Sequence, residues 1–204
     1  MGQVARKVIG VAAIVAVIGS LGLLALGGAQ TTRDKPKPED DGGKAAASDR
    51  AKVTINGRAM LLELALDPER RFRGLSGRND IPADGGMLFV IPDYAAGVHG
   101  FVMRDCAVPI DIIYLDGSGR ILSFYEMKPE APRAEDEKTN TPPYPGAPAW
   151  TWTNAKYEAR LKQYSSRYPA QFAIELKGGT IAGLGLKEGQ KVELDTEGLK
   201  RRAK

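Results

Sequence analysis

Hydrophobic positions along this chain fall into short runs broken by turn-forming residues, with one long exception near the N-terminus. Val53-Thr54-Ile55, the Asn56-Gly57 pair and the stretch Ala59 to Leu66 read as a β-hairpin, because Asn-Gly tolerates the positive φ that a tight turn demands. Asp67-Pro68-Glu69 then predicts a short helix to about Leu75, with Asp67 as cap and Pro68 in the first helical position. Further strands are expected at Met87 to Ile91, Gly100 to Arg104 and Ile110 to Leu115. The last pairs with Ile121 to Met127 across the turn Asp116-Gly117-Ser118-Gly119. Lys128 to Pro148 is proline-rich and loop-like. Tyr157, Leu161 and Tyr164 recur at helical spacing and predict a helix from Thr153 or Asn154 to about Arg167. Gln171 to Leu176 is a strand, Thr180 to Leu184 one helical turn, and Lys191 to Leu194 a final strand. Short sequential strands dominate, so the expected fold is mainly β (β-rich α+β), an antiparallel barrel-like or rolled sheet with short helices at its ends.

The long exception is Val8 to Leu26, uncharged, preceded by Arg6 and Lys7, and about the length a helix needs to cross a hydrocarbon core. Two readings stand for residues 1–29. They form a retained transmembrane anchor, or a signal peptide cleaved after Ala29. Basic residues ahead of the apolar run favour sending the C-terminal remainder of the chain to the outer side of the cytoplasmic membrane, periplasmic or extracellular, and cleavage would release it. Residues 30–50 are Pro, Gly, Asp and Lys with little to bury, the composition of a flexible polar linker. The folded domain is expected over residues 51–196, followed by a solvated basic tail at 197–204.

Composition narrows the function classes. Lys and Arg total 29 against 25 Asp and Glu, a net charge of +4, and the two signs are interleaved outside the C-terminal Lys200, Arg201, Arg202 and Lys204. Nucleic-acid binding needs a denser basic patch and is not expected. Cys106 is the single cysteine, so no intrachain disulfide forms.

Five blocks in order carry a family resemblance. They are Arg73-Gly74-Leu75, Gly86-Met87-Leu88-Phe89-Val90, Phe101-Val102-Met103-Arg104, Pro109-Ile110-Asp111-Ile112, and Ile174-Glu175-Leu176 leading into Gly185-Leu186-Lys187-Glu188-Gly189. Together they resemble the bacterial and archaeal family of domain of unknown function 192 (DUF192, UPF0127), over roughly Val53 to Leu194. The resemblance implies a mostly β domain, commonly exported behind a signal or anchor, with no established activity or cofactor. Relatives commonly carry Met, Trp and Lys-Asn-Thr where this chain has Ser76, Val102 and Arg104-Asp105-Cys106. They also pass directly from the Tyr-Pro-Gly-Ala-Pro-Ala-like segment into the Glu-Leu strand, so about 150–168 reads as an insertion.

Candidate chemistry is sparse. His99 and Cys106 would be roughly 23 Å apart along an extended segment, too far for a nucleophile and its base unless the chain doubles back. A zinc site lacks ligands, with one His and one Cys in the chain, and Asp105, Asp111 and Asp116 form no regular cation loop. No metal or cofactor is expected. Asp105 and Asp111 could face each other as a glycan hydrolase pair, although Asp111 after Pro109 also suits a corner residue accepting backbone N–H bonds. Arg73, Arg78 and Arg104, with Asp105 and Asp111, are candidate ligand-binding residues. Tyr144, Trp150, Trp152, Tyr157 and Tyr164 are a candidate contact surface for a carbohydrate or protein. The expected function is a membrane-tethered, non-catalytic binding or accessory module of the cell envelope, with envelope polysaccharide or an envelope protein as partner. A glycan hydrolase and a purely structural envelope protein are the alternatives.

Overall fold

A computed structural model describes residues 49–204; the N-terminal apolar segment and most of the polar linker lie outside the described residues. Among the described residues no helix is long and apolar enough to cross a membrane. β1 (Arg50–Ile55) and β2 (Arg58–Ala65) form the expected hairpin, with Asn56 at φ 47° and Gly57 at φ 82° in its turn. α1 (Pro68–Arg73) comes next, its cap made by the Asp67 carboxylate accepting from the Arg70 N–H at 2.9 Å. α1 and the loop after it carry the chain back to β3 (Gly86–Val90), which pairs parallel to β2. β4 (Gly100–Phe101), β5 (Ile110–Leu115), β6 (Ile121–Met127), α2 (Ala155–Arg160), β7 (Tyr164–Ser165), β8 (Phe172–Lys177), α3 (Thr180–Leu184) and α4 (Thr196–Arg202) complete the domain.

The main sheet has six strands in the order β1-β2-β3-β8-β5-β6, and β4 pairs with β7 in a separate two-stranded piece. Every pairing in the six-stranded sheet is antiparallel except β2–β3, so it is mixed. No closed barrel forms among the described residues. The segment Gln190–Glu193 instead touches both sheet edges at one end: Gln190 O accepts from Ile121 N–H at 2.9 Å, and Glu193 and Thr54 exchange two bonds of 3.0 Å. The expected strand at Lys191 to Leu194 is thus reduced to isolated bridges.

β3, β5 and β8 are buried along their length apart from the last residue of β8. Their near-continuous apolar sequences reflect cover on both faces of the sheet. One face packs Leu88, Val90, Ile113, Leu115, Phe172, Ile174 and Leu176 against Ile181 and Leu184 of α3 and Leu199 of α4. The other packs Met87, Phe89, Ile110, Ile112, Tyr114 and Ala173 against Leu75, Ile81, Met103 and Tyr164.

Three expected elements differ. The helix expected to about Arg167 stops at Arg160, because Leu161 turns extended at φ −69°, ψ 131°. Tyr164 then pairs with Phe101 in β7 and buries its ring in the second core. The strand expected at Gly100 to Arg104 is only two residues long, since the chain turns at Met103–Cys106 with Asp105 at φ 52°. The C-terminal basic stretch is no frayed tail. Asp195 caps α4 through Gly198 N–H at 2.9 Å, Leu199 enters the core, and Lys204 N–H donates to Leu66 O at 2.8 Å.

Candidate functional site

The most informative side chain on the second face is Glu175, in the middle of β8. The register places it opposite Met87 of β3 and Ile112 of β5, so it points toward the core that holds Phe89, Tyr114 and Leu75. It is only 4% exposed. The backbone N–H of Leu75 hydrogen-bonds the carboxyl, whereas Oε2 has no hydrogen-bond partner among the described residues. Burial pushes its pKa up to about 7, against the pull of the Leu75 N–H and of the Arg78 charge.

One glycine makes room for this carboxyl, and a second lets the strand that carries it pair with β3. A Cβ on Gly74, which sits at φ 53°, would lie 3.2 Å from both Glu175 Oε2 and the Phe89 ring. A Cβ on Gly86 would collide with the Glu175 carbonyl oxygen and prevent β3 from approaching β8. A cavity of about 180 Å3 opens over Glu175, walled by Phe72, Phe89, Phe101 and Val102, with Arg71, Arg73 and Arg104 also lining it. Beneath it runs an edge-to-face series of rings: Phe89–Phe101 at 4.8 Å, Phe101–Tyr114 at 5.6 Å, Tyr114–Tyr125 at 6.4 Å and Tyr125–Tyr164 at 5.7 Å.

The arginines have distinct attachments. Arg71 is held by the carbonyls of Leu66 at 2.7 Å, Val90 at 3.2 Å and Lys204 at 2.6 Å. Arg104 makes a bidentate pair with Glu158 of α2 at 2.6 and 2.8 Å and lies over the Phe72 ring at 4.4 Å. Arg73 is exposed and pairs with Glu69 one helical turn back at 2.9 Å. Arg78 stands outside the cavity lining and makes two 2.7 Å bonds to Glu63, which lower the Glu63 pKa and raise that of Arg78.

Cys106 also lines the cavity. Burial and then the nearby Glu175 charge push its thiol up to about 12, so at neutral pH it is a thiol and a poor nucleophile. His99 is part of a different contact, its backbone N–H bonded to Ser166 Oγ at 3.0 Å, with the imidazole pKa lowered by burial.

The two aspartates proposed as a hydrolytic pair serve separate contacts. Asp111 is on β5 with its side chain on the α3 face, where Oδ2 accepts from Ile181 N–H at 2.7 Å. Burial raises its pKa, opposed by the N–H groups of Ile181, Gly179 and Thr180. Asp105 is in the loop after β4 and makes a bidentate pair with Arg133 at 2.6 and 2.7 Å. Asp111 is therefore the corner residue that accepts backbone bonds, and Asp116 turns inward to its own loop through Ser118 and Arg120. Among the described residues no group of three His, Cys, Asp or Glu is placed to hold a metal ion.

The aromatic contact surface divides. Tyr144 and Trp152 are exposed, but Tyr157 and Tyr164 are buried, and Trp150 packs edge-on against Phe72 at 5.7 Å. Tyr157 is clasped between the guanidinium groups of Arg133 at 3.9 Å and Arg160 at 4.8 Å, and its hydroxyl accepts from Asp105 N–H at 3.0 Å. Arg160 in turn makes two 2.9 Å bonds to Glu137, holding that carboxylate down at about 2. The segment read as an insertion thus supplies α2 and β7, and it backs two residues of the cavity lining without lining it, Phe72 through Trp150 and Arg104 through Glu158.

The site's central residue was not singled out by sequence reasoning. Glu175 appears there only as part of the Ile174-Glu175-Leu176 block; the available signal was a carboxylate in an otherwise apolar strand. Of the sequence candidates, Arg73 and Arg104 reach the cavity, while Arg78, Asp105 and Asp111 do not line it.

Two solved structures share the fold. A protein from Sinorhizobium meliloti 1021, provisionally described as a transcription regulator, is 23% identical with a TM-score of 0.50, covering 72% of this chain and 93% of its own. A protein of unknown function from Novosphingobium aromaticivorans DSM 12444 is 22% identical with a TM-score of 0.50, covering 71% of this chain and 83% of its own. The comparison with curated proteins gives no match. The sequence profile of DUF192, described as uncharacterized ACR, matches residues 51–194, a span that contains Gly74, Gly86, Val102 and Glu175. The chain belongs to the DUF192 family.

Proposed function

We propose that this domain is a non-catalytic binding module that takes a small ligand, or one small group of a larger one, into the cavity above Glu175. The observation that carries this reading is a buried carboxyl oxygen, without a partner among the described residues, at the base of an aromatic-walled cavity. Buried polar atoms are nearly always paired, and an orphan beside a cavity points to something that completes it. At about 180 Å3 the space falls below the roughly 300–1,000 Å3 of drug-sized sites, which suits a compact group. Thiol and imidazole offer no nucleophile and base here, which weighs against a hydrolase.

The apolar run Val8 to Leu26 and the polar linker support presentation of this module outside the cytoplasmic membrane, where an envelope polysaccharide or envelope protein would offer the small group it takes. Sedimentation of the full chain with membranes, with the domain cut by protease added to spheroplasts, is the expected result; a protected domain contradicts that placement. The cavity itself is tested by mapping a mixture of small fragments onto the full chain by chemical-shift changes. Shifts should converge on Phe72, Phe101 and Val102, and Val102→Trp, which plugs the mouth, should abolish them. Scattered shifts that survive Val102→Trp would remove the cavity from the account.

A further inference from the structure

The floor and the rim of the cavity have opposite characters. The floor is a carboxyl set among Phe89, Leu75 and the Gly74 backbone, with a single backbone donor and an Oε2 left without a partner among the described residues. Arg71, Arg73 and Arg104 also line the cavity, Arg73 paired with Glu69 and Arg104 with Glu158. Guanidinium groups so paired still present N–H donors and no acceptors, so they favour an anionic or carbonyl end group over a cationic one. Once inside, an acceptor oxygen can be received by Glu175 only when that carboxyl carries its proton on Oε2 and donates it.

We propose that the ligand group is a hydrogen-bond acceptor, a carboxylate or carbonyl oxygen on a small apolar body, received by Glu175 in its neutral form as donor. The proposal rests on the binding reading above and names the chemistry of its ligand. The groups facing Glu175 are consistent with a carboxyl kept neutral. From the loop after α1 come the Leu75 N–H and the charge of Arg78, the latter already engaged by Glu63. From the loop after β4 comes the Cys106 thiol, neutral at working pH. β3 offers only Met87 and Phe89. β5 offers Ile112 and Tyr114, whose hydroxyl donates to Tyr164 O at 2.6 Å and whose ionisation is pushed upward by burial. The rim arginines have outward or backbone partners: Glu158 for Arg104, Glu69 for Arg73 and three carbonyls for Arg71. A neutral carboxylic acid donating in an apolar site is an established device for stabilising an oxyanion. Burial holds Glu175 near 7, so the donor form is available at and below neutrality.

The test uses the full chain in detergent and two probes of the same body and opposite end groups, benzoate and benzylamine, titrated calorimetrically from pH 6 to 9. Benzoate should bind at pH 6 and weaken by about tenfold per pH unit once Glu175 ionises, because one proton is lost from the complex. Glu175→Gln keeps a neutral donor, so it should bind benzoate within a few-fold of the parent and without that pH dependence, whereas Glu175→Leu should lose at least tenfold. Arg73→Gln, on the exposed rim, should weaken benzoate about threefold and leave benzylamine unchanged or tighter. Tighter binding of benzylamine, strengthening with pH and lost in Glu175→Gln, would overturn the acceptor assignment while leaving the cavity as a binding site. If neither probe binds, or both bind equally to Val102→Trp, the binding reading fails along with it.

Discussion

Asp111 and Glu175 lie on neighbouring strands of one sheet, both buried, and one residue of register separates them onto opposite faces. Asp111 meets the N-terminal N–H groups of α3 and a closed apolar core. Glu175 meets one backbone N–H, a wall of phenylalanines and a cavity. Burial pushes both upward in pKa, so a raised pKa alone does not distinguish them. The difference is in what surrounds the oxygen left over. On the α3 face Asp111 Oδ2 joins a strand to a helix and Oδ1, also without a hydrogen-bond partner among the described residues, is enclosed by closed packing; on the other face the carboxyl lines a cavity, and Gly74 leaves the room that its Oε2 occupies.

Substitutions on the two faces should separate these roles. Leu88→Ala, in the closed core, should cost about 2–5 kcal/mol in urea unfolding. Phe101→Ala, half-buried at the cavity, should cost roughly 2 kcal/mol but abolish fragment binding; equal stability losses with binding intact would remove the distinction between the faces. Next comes pH. A carboxyl whose folded pKa is raised keeps its proton in the fold after the unfolded chain has lost it. Its effect is absent below the ordinary 4.5, stability then falls as pH rises to about 7, and the loss is constant above that. The span corresponds to about 3 kcal/mol. Unfolding of the parent and Glu175→Gln across pH 4 to 8 should differ by that slope, and parallel curves would place Glu175 in water.

Asp111→Ala should cost about 2 kcal/mol, since the Ile181 N–H is left unpaired, without changing benzoate affinity. Asp111→Asn keeps an acceptor and should stay within about 1 kcal/mol of the parent. A loss of binding in Asp111→Asn that remains folded would place function on the α3 face instead. The smallest effect belongs to Tyr94→Ala, whose residue is 85% exposed, with an expected change within about 0.5 kcal/mol and no change in benzoate binding.

Much of the frame was legible because local chemistry dictates it. Asn56-Gly57, Asp67-Pro68 and Asp116 to Gly119 each specify a turn or cap regardless of what lies across the sheet, and all three are found where expected. Pairings between distant segments were not legible. Nothing local announces that β2 and β3 run parallel, or that β8 inserts between β3 and β5. Tyr164 shows the limit of periodicity: it stands at helical spacing from Tyr157 and Leu161, yet its partner is Phe101 in a strand. α4 was obscure for the opposite reason, offering a single core residue, Leu199, amid charges. Glu175 escaped notice because a strand buried on both faces has no alternation against which one carboxylate stands out.

The binding reading stands or falls on whether Glu175 is a neutral, ligand-facing carboxyl near physiological pH. Its titration can be measured by NMR in the full chain labelled with 13C at glutamate carboxyls, the resonance assigned by its loss in Glu175→Gln. The expected midpoint is near 7 and moves upward with saturating benzoate. A midpoint near the ordinary 4.5, unmoved by benzoate, would contradict it.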